Sequence, residues 1–224
     1  MERFKEIQRR AASRHGGARA LETHLPKARS ANALRRTPDH RYLSGMTRAI
    51  FQAGFVWRIV EAKWSGFEEA FGEFDPGAVA RLSEKRLQLL ARDTRIIRNP
   101  QKIRAVRDNA SFLVALREEH GSASRFFASW PAEDIVGLWD VLKLRGSRLG
   151  GTSGQFFLRR LGKDTPILTR DVVQALREQG VIEQKSPTSK QALRSIQEAF
   201  NTWRGESGRS LCEISRILSC SIGD

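Results

Sequence analysis

A glycine-rich turn, Leu149-Gly150-Gly151-Thr152-Ser153, stands directly before a segment with a helical pattern. Glycines let a backbone approach an anion closely, and the free amides at a helix N terminus donate hydrogen bonds to it. The turn therefore predicts a phosphate site, although an ordinary tight connection between two helices uses the same residues. The predicted phosphate-binding residues are Gly150, Gly151, Thr152, Ser153, Lys143, Arg145 and Arg148.

The charge of the chain indicates what kind of molecule would carry the bound phosphate. Lysine and arginine number 39 against 25 aspartates and glutamates, which gives a net charge of +14 and an isoelectric point near 10.9. Such an excess favours a polyanionic partner, and nucleic acid is the leading candidate. We expect double-stranded DNA, held by contacts that position the duplex and read no sequence.

The segment before residue 63 predicts a helix that carries a tryptophan. Met46, Ile50, Ala53 and Trp57 recur at intervals of three and four residues, which is typical of an amphipathic helix over residues 44–63, with Gly54 as a weak point. On this pattern alone, Trp57 is a core residue of that helix.

The remaining elements are also predicted to be helical, and no alternating strand pattern is visible. Asp75-Pro76 and Asn99-Pro100 each combine an N-cap residue with proline at the first helical position. A further helix begins near Thr152, and Thr169 caps the next. We expect an all-α fold of two closely packed helical lobes. Its predicted parts are a basic, partly helical arm over residues 1–38, a core over 39–182, and C-terminal helices over 183–224 that pack back on the core.

Composition also excludes several classes of protein. Cys212 and Cys220 are the only cysteines, too few for a disulfide framework or a four-thiolate zinc site. The four histidines show no ligand spacing. The sequence contains no apolar run of roughly 18 residues, and its charged start is not followed by an apolar stretch. We expect a cytoplasmic monomer that uses no cofactor, metal or membrane.

Several segments, taken together, resemble the 3-methyladenine DNA glycosylase I family. They occur in the family's order, and the similarity extends over roughly residues 42–176 but not to the ends of the chain. The segments are Phe51-Gln-Ala-Gly-Phe-Val-Trp57, Phe71-Gly-Glu-Phe-Asp-Pro76, Ile96-Ile-Arg-Asn-Pro-Gln-Lys-Ile103, Asn109-Ala110, Lys143-Leu-Arg-Gly146 and the glycine-rich turn. The resemblance implies a helix-hairpin-helix glycosylase fold.

The resemblance also implies roles for individual residues. Trp57 would stack on a damaged base flipped out of the duplex, because the glycosidic bond is inaccessible inside the stack. A methylated adenine is cationic, so a tryptophan face would attract it by roughly 0.5 to 2 kcal/mol beyond ordinary stacking. Phe51 and Gln52 would share the base site, and Phe55 would enter the gap in the duplex.

Three positions depart from the family and superfamily patterns. The family's base-contacting glutamate corresponds to Ala49, and the aspartate that is common in the wider superfamily corresponds to Thr169. Two ligand positions of the family's structural zinc correspond to Phe4 and Asp171. The catalytic residue is therefore unassigned, and no zinc is expected.

Two functions follow from these patterns. The first is a repair glycosylase that excises alkylated purines such as 3-methyladenine by base flipping and hydrolysis of the N-glycosidic bond. The alternative is a non-catalytic protein that recognises damaged or bent DNA, for which Ala49 and Thr169 are the evidence. A plain helical interaction module with an incidental basic face would bind no DNA.

Overall fold

The computed structural model describes residues 1–223, and within that range it contains helices and no strands. The predicted all-α fold is confirmed. The chain forms two compact units, each discontinuous in sequence. We call Ser30–Trp130 with Trp139–Leu161 the central unit. Met1–Arg29, Pro131–Leu138 and Gly162 onward form the terminal unit, so residues 1–29 share a compact unit with the C-terminal helices.

The helices of the central unit are mostly short. They are α3 (Ala31–Arg35), α4 (Asp39–Gln52), α5 (Trp57–Ala62), α6 (Trp64–Ala70), a 3-10 turn (Gly72–Phe74), α7 (Pro76–Ala80), α8 (Glu84–Leu90), α9 (Pro100–His120), α10 (Ala123–Ser129) and α12 (Thr152–Leu161). Helix α11 (Ile135–Arg145) begins in the terminal unit and ends in the central one.

Helix α4 lies at the centre of this unit and packs against α9, α10 and α12. Tyr42 of α4 stacks on Phe127 with ring centroids 5.1 Å apart, and the ring of Phe157 in α12 meets both. Gly45 lies at this contact, where an added Cβ would meet the Phe157 ring at 3.4 Å, an ordinary van der Waals distance. The packing fixes the direction in which the C-terminal end of α4 and the start of α12 point.

Local capping signals place most helix starts correctly. The Asp75 carboxylate accepts a hydrogen bond from the Ala78 amide at 2.6 Å, and Asn99 does the same for Lys102 at 3.0 Å. Helix α9 ends at His120, and Gly121 follows it in the left-handed conformation. The prediction of one helix over residues 44–63 is wrong in its start and in its continuity. The observed helix begins earlier, at Asp39, and ends at Gln52. Gly54 follows with a φ of +68°, which ends the helical path.

The terminal unit contains α1 (Phe4–Arg14), α2 (Ala18–Thr23), a 3-10 turn (Ala132–Asp134), α13 (Arg170–Glu178), α14 (Lys190–Ser207) and α15 (Leu211–Ser221). Helix α1 packs along α15 through Phe4, Ile7 and Ala11, which are fully buried. The basic segment at the start of the chain therefore has a packed apolar face. Asp164 accepts hydrogen bonds from the first two amides of α15, at 3.0 and 2.9 Å. No helix among residues 1–223 is long and apolar enough to cross a bilayer.

Candidate nucleic-acid interface

A cavity of about 200 Å³ lies in the central unit between the end of α4, the start of α5 and the first turn of α12. It is smaller than the 300–1,000 Å³ or so typical of drug-sized ligands, so it would suit one small ring system. No carboxylate is among its lining residues in the described part of the chain. The lining residues are Ala49, Gln52, Ala53, Gly54, Trp57, Thr152, Ser153 and Phe156.

Trp57 is the large aromatic residue at this cavity. It is the first residue of α5 and remains 47% exposed, although the helical pattern alone would bury it. Its ring meets Phe156 edge to face, with centroids 5.3 Å apart and an interplanar angle of 88°. The break at Gly54 causes the exposure, because α5 starts on a new axis and no longer continues the buried stripe of α4.

The turn between α4 and α5 carries a run of exposed apolar side chains. Phe55 is 43% exposed, and Val56 is also exposed. Lys102 of α9 holds the turn in place, because its ammonium donates to the backbone carbonyls of Phe51 at 3.3 Å and Ala53 at 2.8 Å. Burial lowers the pKa of Lys102, and the nearby charge of Arg148 lowers it further. Phe55 is thus presented on a braced turn.

Phe51, which the resemblance placed at the base, does not line the cavity. Its side chain is fully buried and meets Phe67 edge to face at 4.6 Å. Helix geometry accounts for this, because Phe51 and Gln52 are adjacent and point about 100° apart on α4. Gln52 faces the cavity, whereas Phe51 anchors the helix in the core.

Gln52 belongs to a polar cluster with Arg48, Glu61 and Arg160. Arg160 of α12 donates to the Gln52 carbonyl oxygen at 2.6 Å, and the Gln52 amide nitrogen donates to Glu61 at 2.8 Å. Arg48 approaches the other Glu61 oxygen at 3.4 Å while its guanidinium lies 3.9 Å from the centre of the Trp64 ring. Sequence patterns did not indicate this cluster, since its members come from three helices.

The glycine-rich turn connects α11 to α12 in a tight hairpin. Gly151 has a φ of +61°, and a Cβ on Gly154 would lie 2.4 Å from the Leu149 carbonyl oxygen, so both positions need glycine. Thr152 and Ser153 face the cavity that Trp57 lines. The hairpin and the cavity beside Trp57, which the sequence analysis treated as separate features, are therefore adjacent.

The basic side chains of the hairpin differ in whether they already bind another side chain of the protein. The two terminal guanidinium nitrogens of Arg145 donate to the Glu119 carboxylate, at 2.6 and 2.8 Å, while the group lies over the Phe112 ring. Arg148, in the left-handed conformation with a φ of +59°, donates to the side chain of Gln101. Lys143 is exposed beside Gly150.

The positions carried over from the superfamily and from the zinc site lie in the terminal unit. Thr169 caps α13 by accepting a hydrogen bond from the Val172 amide at 3.4 Å. Phe4 is a core residue of α1, and Asp171 lies exposed in the first turn of α13. Among residues 1–223, no group of three or more His, Cys, Asp or Glu side chains is arranged to hold a metal ion.

The model of the methyladenine glycosylase family matches residues 35–141 of this sequence. Over this segment the chain is similar to that family. The match covers the whole α4–α5 region, including Ala49 and Trp57, and stops before the glycine-rich turn. The similarity to the family therefore lies in the helices that form one side of the cavity, and the hairpin on the other side lies outside the matched segment.

Solved structures of DNA glycosylases are similar to this chain. A 3-methyladenine DNA glycosylase I is 24% identical, with a TM-score of 0.45, over 65% of this chain and 87% of the other. The Staphylococcus aureus 3-methyladenine DNA glycosylase I is 20% identical, with a TM-score of 0.46, over 63% and 82%. The Methanocaldococcus jannaschii 8-oxoguanine DNA glycosylase is 16% identical, with a TM-score of 0.49, over 95% and 89%.

Proposed function

We propose that this protein is a DNA glycosylase that excises an alkylated purine, such as 3-methyladenine, from double-stranded DNA. The observation that carries the proposal is the half-exposed Trp57 at the wall of a cavity sized for a small ring system, next to the exposed Phe55. We also propose that it acts as a cytoplasmic monomer and uses no cofactor.

In this proposal the protein separates the damaged base from its stack before any bond breaks. The hairpin holds a phosphate through the free amides at the start of α12 and through Lys143. The base rotates into the cavity and stacks on Trp57, while Phe55 occupies the space left in the duplex. The unstacking energy, a few kcal/mol, is lowest for a damaged base, which gives a first level of selectivity.

The chemical step is then hydrolysis of the N-glycosidic bond. The bond between the sugar C1′ and the base nitrogen breaks, and its electron pair leaves with the base, so that a cationic methylated base departs neutral. The oxygen of a water molecule bonds to C1′, and that water loses one proton to solvent. Because a cationic base is already a good leaving group, orientation in a closed cavity supplies much of the rate without an acid at the Ala49 position.

A base-release assay tests the proposal. Alkylated duplex DNA is incubated with the protein, and free 3-methyladenine is measured. Replacement of Trp57 by alanine should lower the release rate by about fivefold to 150-fold, since stacking on an aromatic ring contributes roughly 1–3 kcal/mol per base. Ile59→Ala, which shortens another exposed side chain of α5, is the control and should leave release unchanged. No release by the unmodified protein would refute the glycosylase proposal.

A second function is favoured by one specific observation, namely that Ala49 lines the cavity where the family's glutamate is expected. In this alternative the protein binds damaged or bent DNA without cleaving it. Tight binding of a lesion duplex that Trp57→Ala weakens, together with no release of the base, would support this alternative over the glycosylase.

A further inference from the structure

Glu61 lies on the same face of α5 as Trp57, because residues four apart on a helix are neighbours. Its side chain is 44% exposed and does not itself line the cavity. It reaches the cavity wall through Gln52, whose amide nitrogen donates to the Glu61 carboxylate at 2.8 Å. Two other carboxylates, Glu22 and Asp39, lie elsewhere in the chain. Glu22 pairs with Arg209 in the terminal unit, and Asp39 begins α4, about 15 Å along the helix axis from Ala49.

The orientation of the Gln52 amide follows from its two partners. Arg160 can only donate, so it faces the Gln52 oxygen, and the Glu61 carboxylate can only accept, so it faces the Gln52 nitrogen. A reversed amide would lose both hydrogen bonds. Glu61 therefore fixes which polar atoms of Gln52 remain directed toward a base in the cavity.

The charge balance of the cluster also depends on Glu61. Arg160 and Arg48 each approach its carboxylate, with closest N–O distances of 3.8 and 3.4 Å. Burial lowers the pKa of both guanidinium groups, and the charge of Arg48 lowers the pKa of Arg160 further. The Nε of Arg48 is a buried donor with no hydrogen-bond partner among the described residues. These two cations are close enough to repel each other, and Glu61 is the carboxylate between them.

We propose that Glu61 is a positioning and specificity-determining residue that makes the cavity selective for a cationic base, in place of the carboxylate that Ala49 lacks. The inference rests on the proposed function. Glu61 orients Gln52 and offsets one of the two arginine charges beside the cavity. The charge of a second carboxylate, Glu68, acts on Arg48 as well. Without Glu61 the wall beside Gln52 would therefore carry one uncompensated positive charge, that of Arg160, and would disfavour a positively charged base more than a neutral one.

Equilibrium binding to two matched duplexes tests the inference independently of catalysis. One duplex carries 3-methyladenine, kept uncleaved by fluorine at the sugar 2′ position, and is cationic. The other carries 3-deaza-3-methyladenine, which has the same shape but is neutral. We expect the unmodified protein to prefer the cationic duplex, and Glu61→Gln to reduce that preference about threefold to tenfold, as loss of one partly screened charge predicts.

Two further variants separate charge from geometry. Glu61→Gln can still accept the Gln52 hydrogen bond through its own amide oxygen, whereas Glu61→Ala cannot, so the alanine variant should weaken binding of both duplexes. Glu84→Gln is the matched control. Glu84 also bridges two arginines, Arg104 and Arg107, in the same unit, but none of the three lines the cavity.

The outcomes distinguish this inference from the proposed function. If Glu61→Gln leaves the ratio of the two affinities unchanged, or if the unmodified protein shows no preference, the inference is overturned even when base release is observed. If the preference exists and is lost in Glu61→Gln while no base is released, Glu61 has the inferred role and the glycosylase proposal fails.

Discussion

Asn109 of α9 holds both backbone groups of Ser147 in the hairpin. Its side-chain nitrogen donates to the Ser147 carbonyl at 3.0 Å, and its side-chain oxygen accepts from the Ser147 amide at 2.8 Å. Asn109 is fully buried, so its amide has no access to water in place of these bonds. This pair fixes the position of the hairpin relative to α9.

Replacement of Asn109 by alanine should therefore destabilise the protein by about 1–3 kcal/mol, because it leaves backbone groups of the hairpin without partners. Urea unfolding measures the change, provided that the denaturant slope stays constant. Ser111→Ala on the exposed side of α9 is the control and should lie within about 0.5 kcal/mol of the unmodified protein. Equal stability of Asn109→Ala and Ser111→Ala would contradict the structural role.

The sequence predicts the helix starts, because these depend on residues close to each other in the chain. Asp75-Pro76, Asn99-Pro100 and Thr169 were identified as helix starts because a cap and its amide lie within three residues of each other. The Asn109–Ser147 pair joins residues 38 apart, and the Gln52–Arg160 contact joins residues 108 apart. No periodicity encodes such contacts, so neither could be derived from the sequence.

The break between α4 and α5 is an intermediate case. Gly54 marked a weak point, but apolar spacing continued across it, and a glycine within a helix is only mildly unfavourable. The helix breaks here because Lys102, from α9, forms hydrogen bonds with the backbone carbonyls of Phe51 and Ala53 and stabilises the turn. The exposure of Trp57 was consequently expected from the family resemblance and not from the pattern of residues.

The glycines of the hairpin should respond differently to alanine. A Cβ at Gly154 would lie 2.4 Å from the Leu149 carbonyl oxygen, a backbone atom that cannot move without opening the turn. Gly154→Ala should cost about 1–3 kcal/mol of unfolding free energy, as overpacking usually does. At Gly150 the nearest atom is the Lys143 Cγ at 3.4 Å, an ordinary contact.

Gly150→Ala is thus the matched variant, and thermal unfolding should show it nearly as stable as the unmodified protein. Its added methyl group should still weaken DNA binding if a phosphate approaches this backbone closely. Comparable losses of stability in the two variants would show that the hairpin is not packed as described.

Glu119 should limit the affinity for DNA by occupying Arg145. The arginine lowers the pKa of the Glu119 carboxyl, so the carboxylate is ionised at all pH values above its usual 4.5 and the pair persists at neutral pH. Glu119→Gln should release the guanidinium for a phosphate. We expect tighter binding at low salt and a salt dependence steeper by up to about 0.9 in the logarithmic slope, the value for one added phosphate contact.

Fluorescence anisotropy with a labelled duplex at several salt concentrations measures this effect. Glu118→Gln removes the same charge one residue away and controls for the change in net charge. In the double variant Glu119→Gln, Arg145→Ala the gain should disappear, and its persistence there would mean that Arg145 does not contact DNA.

Phe55 should contribute to base flipping and little to folding. Its side chain is 43% exposed on the turn that Lys102 braces, so its truncation removes few buried contacts and should change the unfolding free energy by no more than about 0.5 kcal/mol. The same truncation removes the group that would fill the vacated stack.

A duplex with 2-aminopurine beside the lesion reports flipping, because the fluorescence of this base rises when it unstacks. Phe55→Ala should lower the rise by more than half, whereas Leu89→Ala, which shortens an exposed side chain of α8, should preserve it. An unchanged signal in Phe55→Ala would exclude Phe55 as the wedge and leave the neighbouring exposed Val56 as the candidate on this turn.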